Sequence, residues 1–197
     1  MAEECNGILI IKLFLLFIPV FVFGQNTNNY ENKGLCLKAQ SLNLYYVYDG
    51  KSGYNSAYEL NENTKINELN VEANYFVNEY FAYGIGAGIG KLTQPKIQYT
   101  SLYANMLAVF YTTKNSTFIT LKYGTHLGDL DKNGYLLRTG IGYRIRTYKN
   151  FILNLEVDYS KQYFYKQFEG SNRPYSPYTL KTIGFTIGVA FNKYKKI

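Results

Sequence analysis

The sequence is poor in the residue types that build metal sites and cross-links. Its 197 residues include one histidine, two cysteines, four prolines and no tryptophan. One histidine without a Cys/His cluster excludes a zinc site of the usual ligand set. Cys5 lies in a segment that we expect to be removed, so Cys36 would stand alone and no disulfide framework forms. We predict no metal, no cofactor and no catalytic residue.

The chain is rich in aromatic residues. It holds 22 tyrosines, 13 phenylalanines and 17 glycines, and only 18% of its residues are charged. This composition favours β-structure, and the length suits one domain. The formal net charge is +7. For an exported protein, anionic lipid phosphates are a more suitable counterpart of this charge than nucleic acid, which we exclude as a partner.

An apolar run near the start predicts a secretory leader. From Leu13 to Phe23 the run is 11 residues long, which matches a signal peptide and is too short to span a bilayer as a helix. We expect residues 1–24 to be the signal peptide, cleaved after Gly24. The residues before the run are acidic rather than basic. The alternative is therefore that the segment is not cleaved and is retained as a membrane anchor.

Period-two alternation recurs along the mature chain, without sustained helical periodicity. In residues 183–191, large apolar side chains at every second position alternate with Gly, Thr and Ala. Five windows follow the same rule: 69–77, 81–90, 117–127, 135–147 and 151–159. The less regular windows 35–47 and 98–112 complete eight predicted strands. A phase change in the first of these suggests a β-bulge near Gln40.

The charged residues of the regular windows all lie opposite the apolar stripe. They are Glu72, Lys122, Arg138, Arg144, Arg146, Glu156 and Asp158. This face is rich in glycine, which lets long side chains cross it. We predict that the face is enclosed and that the three arginines pair with Glu156 and Asp158 in a lumenal ion network. A soluble lipocalin-type barrel is the alternative, and it would have an apolar interior.

The predicted connections alternate in length. Those near residues 78–79, 113–115 and 148–150 are tight, and those at 48–65, 92–96, 128–133 and 168–178 are longer. Eight strands with this alternation are typical of an outer-membrane barrel. We predict an all-β fold, an eight-stranded antiparallel up-and-down transmembrane β-barrel over residues 35–194. A polar entry (25–34) and a basic tail (195–197) would place both termini in the periplasm.

The last strand carries the most specific local pattern. Residues 182–189 read Thr-Ile-Gly-Phe-Thr-Ile-Gly-Val, although eight more residues follow instead of a terminal aromatic. With this strand the chain resembles the small eight-stranded outer-membrane barrel family of Gram-negative bacteria. The resemblance implies recognition by the barrel-assembly machinery, and lipopolysaccharide and other outer-membrane lipids as partners. The leader ending and the Asn/Lys/Tyr-rich loops resemble proteins of the Bacteroidota.

Tyrosines near the predicted strand ends suggest two interfacial girdles. They are Tyr75, Tyr83, Tyr111 and Tyr143 near the short turns, and Tyr135, Tyr159 and Tyr163 nearer the long loops. Because an eight-stranded barrel is about filled by its side chains, an open diffusion pore is disfavoured.

His126 is the one candidate imidazole base. Some eight-stranded barrels are lipid A deacylases with a His-x-Ser-Asn motif, but here Gly128 occupies the serine position. We therefore predict a hydrogen-bonding role for His126, and no nucleophile near it. The run of alternating glycines from Gly84 to Gly90 is strand spacing and not a phosphate-binding loop.

The hairpin after the seventh strand is the best candidate for a binding surface. Its interface-prone residues are Tyr163, Tyr165, Arg173, Tyr175 and Tyr178. We expect a structural or surface-interaction role through such loops, with an extracellular ligand that the sequence does not identify. A lipid-modifying enzyme of the deacylase type and a narrow solute transporter are the alternatives.

Overall fold

The computed structural model describes residues 30–32, 34–47, 64–93, 96–111, 115–128, 132–148, 150–165, 178–192 and 195–196. These residues form ten β-strands, which are β1 (Tyr30–Glu31), β2 (Gly34–Tyr46), β3 (Lys65–Phe76), β4 (Phe81–Leu92), β5 (Ile97–Val109), β6 (Asn115–Gly128), β7 (Lys132–Tyr148), β8 (Phe151–Tyr165), β9 (Tyr178–Asn192) and β10 (Lys195–Lys196). Within these ranges no helix is long and apolar enough to cross a bilayer. The predicted leader, residues 1–24, lies outside the described residues.

Strands β2 to β9 form a closed antiparallel barrel. Each strand pairs with its neighbour in sequence, and β9 pairs with β2 to complete the ring. The prediction of an eight-stranded up-and-down barrel is therefore confirmed. The short strands β1 and β10 pair with each other outside the ring. They lie in the segments predicted as a polar entry and a basic tail, in which no strand was expected.

The strands are staggered around the barrel. Following register partners from Cys36 once around the ring leads to Tyr46, ten residues further along β2; the path is Cys36, Asn74, Gly84, Asn105, Lys122, Arg138, Ser160, Thr182, Tyr46. Strand number and stagger together fix the tilt of the strands and the width of the barrel.

Two connections at one end of the barrel are long. Residues 47–64 link β2 to β3, and residues 166–177 link β8 to β9. We name this the long-loop end, and the opposite end the short-turn end. The connections predicted near 92–96 and 128–133 lie where expected, since β4 ends at Leu92 and β5 begins at Ile97, and β6 ends at Gly128 and β7 begins at Lys132. Their predicted extra length is wrong, because they are about as short as the turns at the opposite end. The alternation in loop length is therefore incomplete.

Side chains sort by polarity between the two faces of the wall. Ile85 faces outward and is 72% exposed, whereas Glu72 faces inward and is 3% exposed. Large apolar side chains with a high exposed fraction occur on all eight barrel strands. The prediction of an enclosed polar face is confirmed, and the lipocalin-type alternative is wrong because the interior carries the charges.

The predicted β-bulge near Gln40 is absent. The register of β2 runs without a shift against both β3 and β9. Alternation continues instead, so that Leu42 and Leu44 face the interior together with Lys38 and Gln40. The apolar residues change phase in the sequence because the interior itself turns apolar near the long-loop end.

Inward-facing glycines give space to large side chains from the next strand. A Cβ atom on Gly86 would overlap the ring of Tyr103, and one on Gly142 would overlap the ring of Phe118. Register explains both overlaps, since Gly86 is the partner of Tyr103 and Gly142 is the partner of Phe118. The expectation that glycine lets long charged chains cross the polar face is met at Gly140, where a Cβ atom would overlap the Glu156 carboxylate. At Gly86 and Gly142 the space is taken by aromatic rings instead.

Replacing Gly86 by valine should destabilise the barrel by about 1 to 3 kcal/mol, the usual cost of overpacking. The added methyl groups must displace the Tyr103 ring, which is held by a hydrogen bond from its hydroxyl to Glu72 (3.2 Å). The free energy of unfolding in urea would measure the loss. Ala87→Val, on the outward face of the same strand, is the matched control, and equal losses in the two variants would contradict this packing argument.

Candidate functional site

The interior of the barrel is built in three layers. A charged layer fills the middle, and a cluster of apolar side chains lies on each side of it. The cluster at the long-loop end, which we name the upper apolar layer, consists of Leu42, Leu44, Ile66, Leu92, Ile97, Tyr99, Phe164 and Leu180. The cluster at the short-turn end, the lower apolar layer, consists of Cys36, Phe76, Ala82, Leu107, Val109, Phe118, Ile152 and Ala190.

Glu72 is the first centre of the charged layer. Its carboxylate lies 2.8 Å from the Lys122 ammonium and 3.8 Å from that of Lys38. Lys38 reaches on to Glu156 at 3.2 Å. All four side chains are buried. Charges removed from water this far are stable only when they are paired, so the four residues form one ionic chain across the interior.

Glu68 is the second centre. Arg138 donates a hydrogen bond to it at 2.9 Å, as do the hydroxyl groups of Tyr99 (3.0 Å) and Ser101 (2.9 Å). Glu72 is similarly saturated, because Gln40 donates to it at 2.8 Å in addition to the lysine. Fully bonded buried carboxylates hold the neighbouring side chains in one arrangement.

Of the seven residues predicted for the ion network, Glu72, Lys122, Arg138 and Glu156 form ion pairs. The predicted pairing of the arginines with Glu156 and Asp158 is not seen among the described side chains. Arg138 pairs with Glu68 across the interior and not with Glu156 or Asp158 on the next strand. The register explains this, because the partner of Arg138 on β8 is Ser160. Asp158 accepts a short hydrogen bond from Thr186.

Two ionic residues escaped the sequence analysis. Lys38 alternates with Leu37 and Ala39 and therefore points inward. Its window, residues 35–47, is apolar but irregular, so the sequence alone does not mark Lys38 as lumenal. Glu68 lies one residue before the predicted start of a strand that actually begins at Lys65. The period-two pattern includes both residues. The predicted strand start at residue 69 excluded Glu68, and the predicted bulge obscured the alternation around Lys38.

The side chains of Arg144 and Arg146 lie at the short-turn end of the barrel. The Oδ1 atom of Asn32 accepts hydrogen bonds from Arg146 (3.0 Å) and Arg144 (3.5 Å). The Asn32 amide in turn donates to the backbone carbonyl of Glu79 at 2.9 Å. Asn32, two residues before the start of β2, thus lies across this mouth of the barrel and closes it below the lower apolar layer.

His126 belongs to the upper end of the interior. Its ring stacks on Phe164 at 4.7 Å between centroids and meets Tyr99 edge-on at 4.6 Å. Ser101 is its register partner on β5, so a hydroxyl does lie beside it, contrary to the sequence analysis. That hydroxyl donates to Glu68, and both side chains are fully buried.

The inward-facing side chains in the middle of the described barrel have almost no accessible surface, and Lys122, Arg138 and Asp158 are all 0% exposed. A cavity of about 10 Å³ lies between the charged and lower apolar layers, against Lys38, Glu72 and Phe118. This is the size that holds about one water molecule. The described side chains thus fill the cross-section, as expected for eight strands.

Most of the tyrosines predicted to form interfacial girdles are exposed on the outer wall, and their place at a lipid interface stays a prediction. The exposed members are Tyr75, Tyr83, Tyr111, Tyr135 and Tyr159. Tyr163 stacks on Tyr135 at 4.1 Å and is half-buried. Tyr143 is wrong as an exposed girdle residue, because it is only 9% exposed.

Most of the predicted binding hairpin lies outside the residues that the structure describes. Tyr165 ends β8 and Tyr178 begins β9, but their side chains are not among those described. Arg173 and Tyr175 lie outside the described residues altogether. The proposed surface therefore stays a prediction from sequence.

Known structures share the fold. The crystal structure of Neisserial surface protein A matches with a TM-score of 0.54 and 13% identity, covering 81% of this chain and 97% of that one. The solution structure of E. coli outer membrane protein W matches with a TM-score of 0.54 and 10% identity, covering 82% and 98%. No family model matches the chain, and no curated protein does. Similarity at this level of identity establishes an eight-stranded barrel of the type found in outer-membrane proteins, and no activity.

Replacing Glu72 by glutamine should cost about 3 to 5 kcal/mol of stability, because it leaves Lys122 and Lys38 buried beside a neutral partner. Unfolding in urea would measure this loss. Glu79→Gln, in the short turn between β3 and β4, is the control and should change stability by less than about 0.5 kcal/mol. A Glu72→Gln variant as stable as the control would show that the ionic chain does not stabilise the fold.

Proposed function

We propose that this protein is an integral outer-membrane barrel that does not conduct solutes and acts as a rigid support for its long loops. The observation that carries the proposal is the three-layered interior. An ionic chain fills the middle, an apolar layer lies on each side of it, and Asn32 crosses the short-turn mouth.

The outer surface supports insertion into a membrane. On β9, exposed apolar side chains occupy every second position from Phe191 to Ile183, and Lys181 follows them. From Phe191 to Lys181 the strand rises about 25 Å along the axis, at ~3.3 Å per residue and a tilt of roughly 40°. This equals the apolar band of outer-membrane barrels. The closed ring also leaves no strand edge unpaired, which hydrocarbon requires.

The long loops then supply the interaction surface. β1 and β10, the first and last described strands, lie at the short-turn end. We assign that end to the periplasm, so that the end carrying the connections 47–64 and 166–177 is the extracellular one. The second loop contains Arg173 and Tyr175 between Tyr165 and Tyr178, at whose base Tyr163 stacks on Tyr135. Aromatic and arginine side chains are the types that dominate binding interfaces, so this hairpin is the proposed contact for an extracellular partner.

The two alternatives are less compatible with the geometry. A transporter through the lumen needs a continuous water path, and the apolar layers and ionic chain fill the cross-section. A deacylase needs a nucleophile that an acyl chain can reach. Ser101 and His126 are buried under the upper apolar layer, and the serine hydroxyl is engaged by Glu68.

Planar bilayer recordings would test the closed lumen. Because the interior is filled, we expect the purified barrel to give no discrete conductance steps at any applied voltage. An open porin inserted in the same bilayer provides the positive control. Reproducible single-channel steps from this protein would support the transporter alternative.

Cysteine labelling of intact cells would test location and orientation. A cysteine introduced at Ser171 in the long loop should react with a membrane-impermeant maleimide in intact cells. One introduced at Lys195 in β10 should react only after the outer membrane is permeabilised. The wild-type protein is the control, because Cys5 is expected to be removed with the leader and the native Cys36 is buried in the lumen and should stay unlabelled. The opposite labelling pattern would reverse the proposed orientation.

A further inference from the structure

Among the side chains that the structure describes, lysines on the outer face of the barrel occur only at the long-loop end. They are Lys65 on β3, Lys91 on β4, Lys161 on β8 and Lys181 on β9. The carboxylates of the described barrel strands, Glu68, Glu72, Glu156 and Asp158, all point into the lumen. The outer wall that the structure describes therefore carries charge of one sign, at one end. We name these four residues the lysine collar.

The collar lies at a single height. When the stagger of ten residues around the barrel is taken into account, the four Cα positions fall within ~5 Å of one level along the axis. The exposed apolar residues of each strand lie on the short-turn side of this level. The collar thus marks the edge of the apolar band, which is the depth of lipid headgroups in the orientation proposed above.

The collar is densest where β8 and β9 meet. Lys161 and Lys181 are direct register partners, so their side chains leave the wall side by side. Directly paired residues have Cβ atoms about 5 Å apart, which lets two flexible ammonium groups reach the same small anion. On the other side of β9, Tyr45 is the register partner of both Ile183 and Lys65.

Tyrosine rings accompany the lysines. The Lys161 ammonium lies 5.1 Å from the centre of the Tyr163 ring, and the Lys65 ammonium lies 5.2 Å from the centre of the Tyr45 ring. Such cation–π contacts orient each ammonium along the wall. Tyrosine at this height supplies a ring for the acyl region and a hydroxyl for the polar region.

We propose that the lysine collar binds phosphate groups of the lipid in the outer leaflet, with one phosphate held between Lys161 and Lys181. The ligand class is the phosphorylated headgroup of lipid A, the membrane anchor of lipopolysaccharide. Ammonium groups form charge-assisted hydrogen bonds with phosphate oxygens, and a collar without acids favours an anionic headgroup over a zwitterionic one. This inference rests on the proposed membrane insertion and orientation.

Binding of purified lipid A to the full-length folded barrel would test the inference. Diphosphoryl lipid A would be titrated into the protein in zwitterionic detergent, and bound lipid counted by native mass spectrometry. We expect the double variant K161Q/K181Q to bind at least about tenfold more weakly than the wild type. Its matched control is K195Q/K196Q, which removes two lysines at the opposite end and should bind like the wild type.

Three outcomes would overturn the inference. They are unchanged binding by K161Q/K181Q, equal binding of chemically dephosphorylated lipid A, and full displacement of lipid A by millimolar inorganic phosphate, which would indicate a site for free phosphate. The single variants K161Q and K181Q, each with a smaller loss, provide the same comparison should the double variant fold poorly.

The failure of this inference is distinguishable from failure of the proposed function. Each variant is first checked for a compact, heat-modifiable form on gels and for insertion into lipid vesicles. A barrel that inserts but shows no dependence on phosphate contradicts the collar site alone. A wild-type chain that does not insert contradicts the membrane assignment itself.

Discussion

The pairing of β9 with β2 is the constraint on which the rest of this structure depends. It joins the first and last barrel strands from Cys36↔Asn192 to Tyr46↔Thr182 without a break. An open sheet would leave two edges of unpaired backbone groups, which cannot exist in hydrocarbon. Closure also separates an inside from an outside, so that each alternating residue acquires a definite environment.

Inside the closed barrel, the buried charges are paired and the side chains fill the available volume. Glu72 and Glu68 collect lysine, arginine, hydroxyl and amide donors from several strands, and the ions lie between two apolar layers. Glycines on neighbouring strands make this packing possible, because Tyr103 and Phe118 occupy the space that side chains at Gly86 and Gly142 would need. A small change of volume or charge in the interior therefore disturbs the packing of several strands at once.

Such an interior leaves the two ends and the outer wall as the places for function. The body of the barrel is uniform and closed, and the features that differ from one part to another are the long loops and the lysine collar. Both are at the same end. This arrangement suits a protein that meets lipid headgroups and external partners on one side of the membrane and stays inert through its centre.

The sequence by itself determined the eight barrel strands and the inward face of seven charged residues, although it did not single out Lys38 and Glu68. These properties depend on local alternation, which can be read from a single short window such as residues 183–191. The choice of partners depended on tertiary structure. Arg138 meets Glu68, 70 positions away, because the stagger and the barrel width bring them together, and neither is visible in a window of sequence. The same is true of Asn32 at the short-turn mouth, Ser101 beside His126 and the common height of the four collar lysines. Periodicity assigns a direction to a side chain, whereas only ring closure and register decide what it meets there.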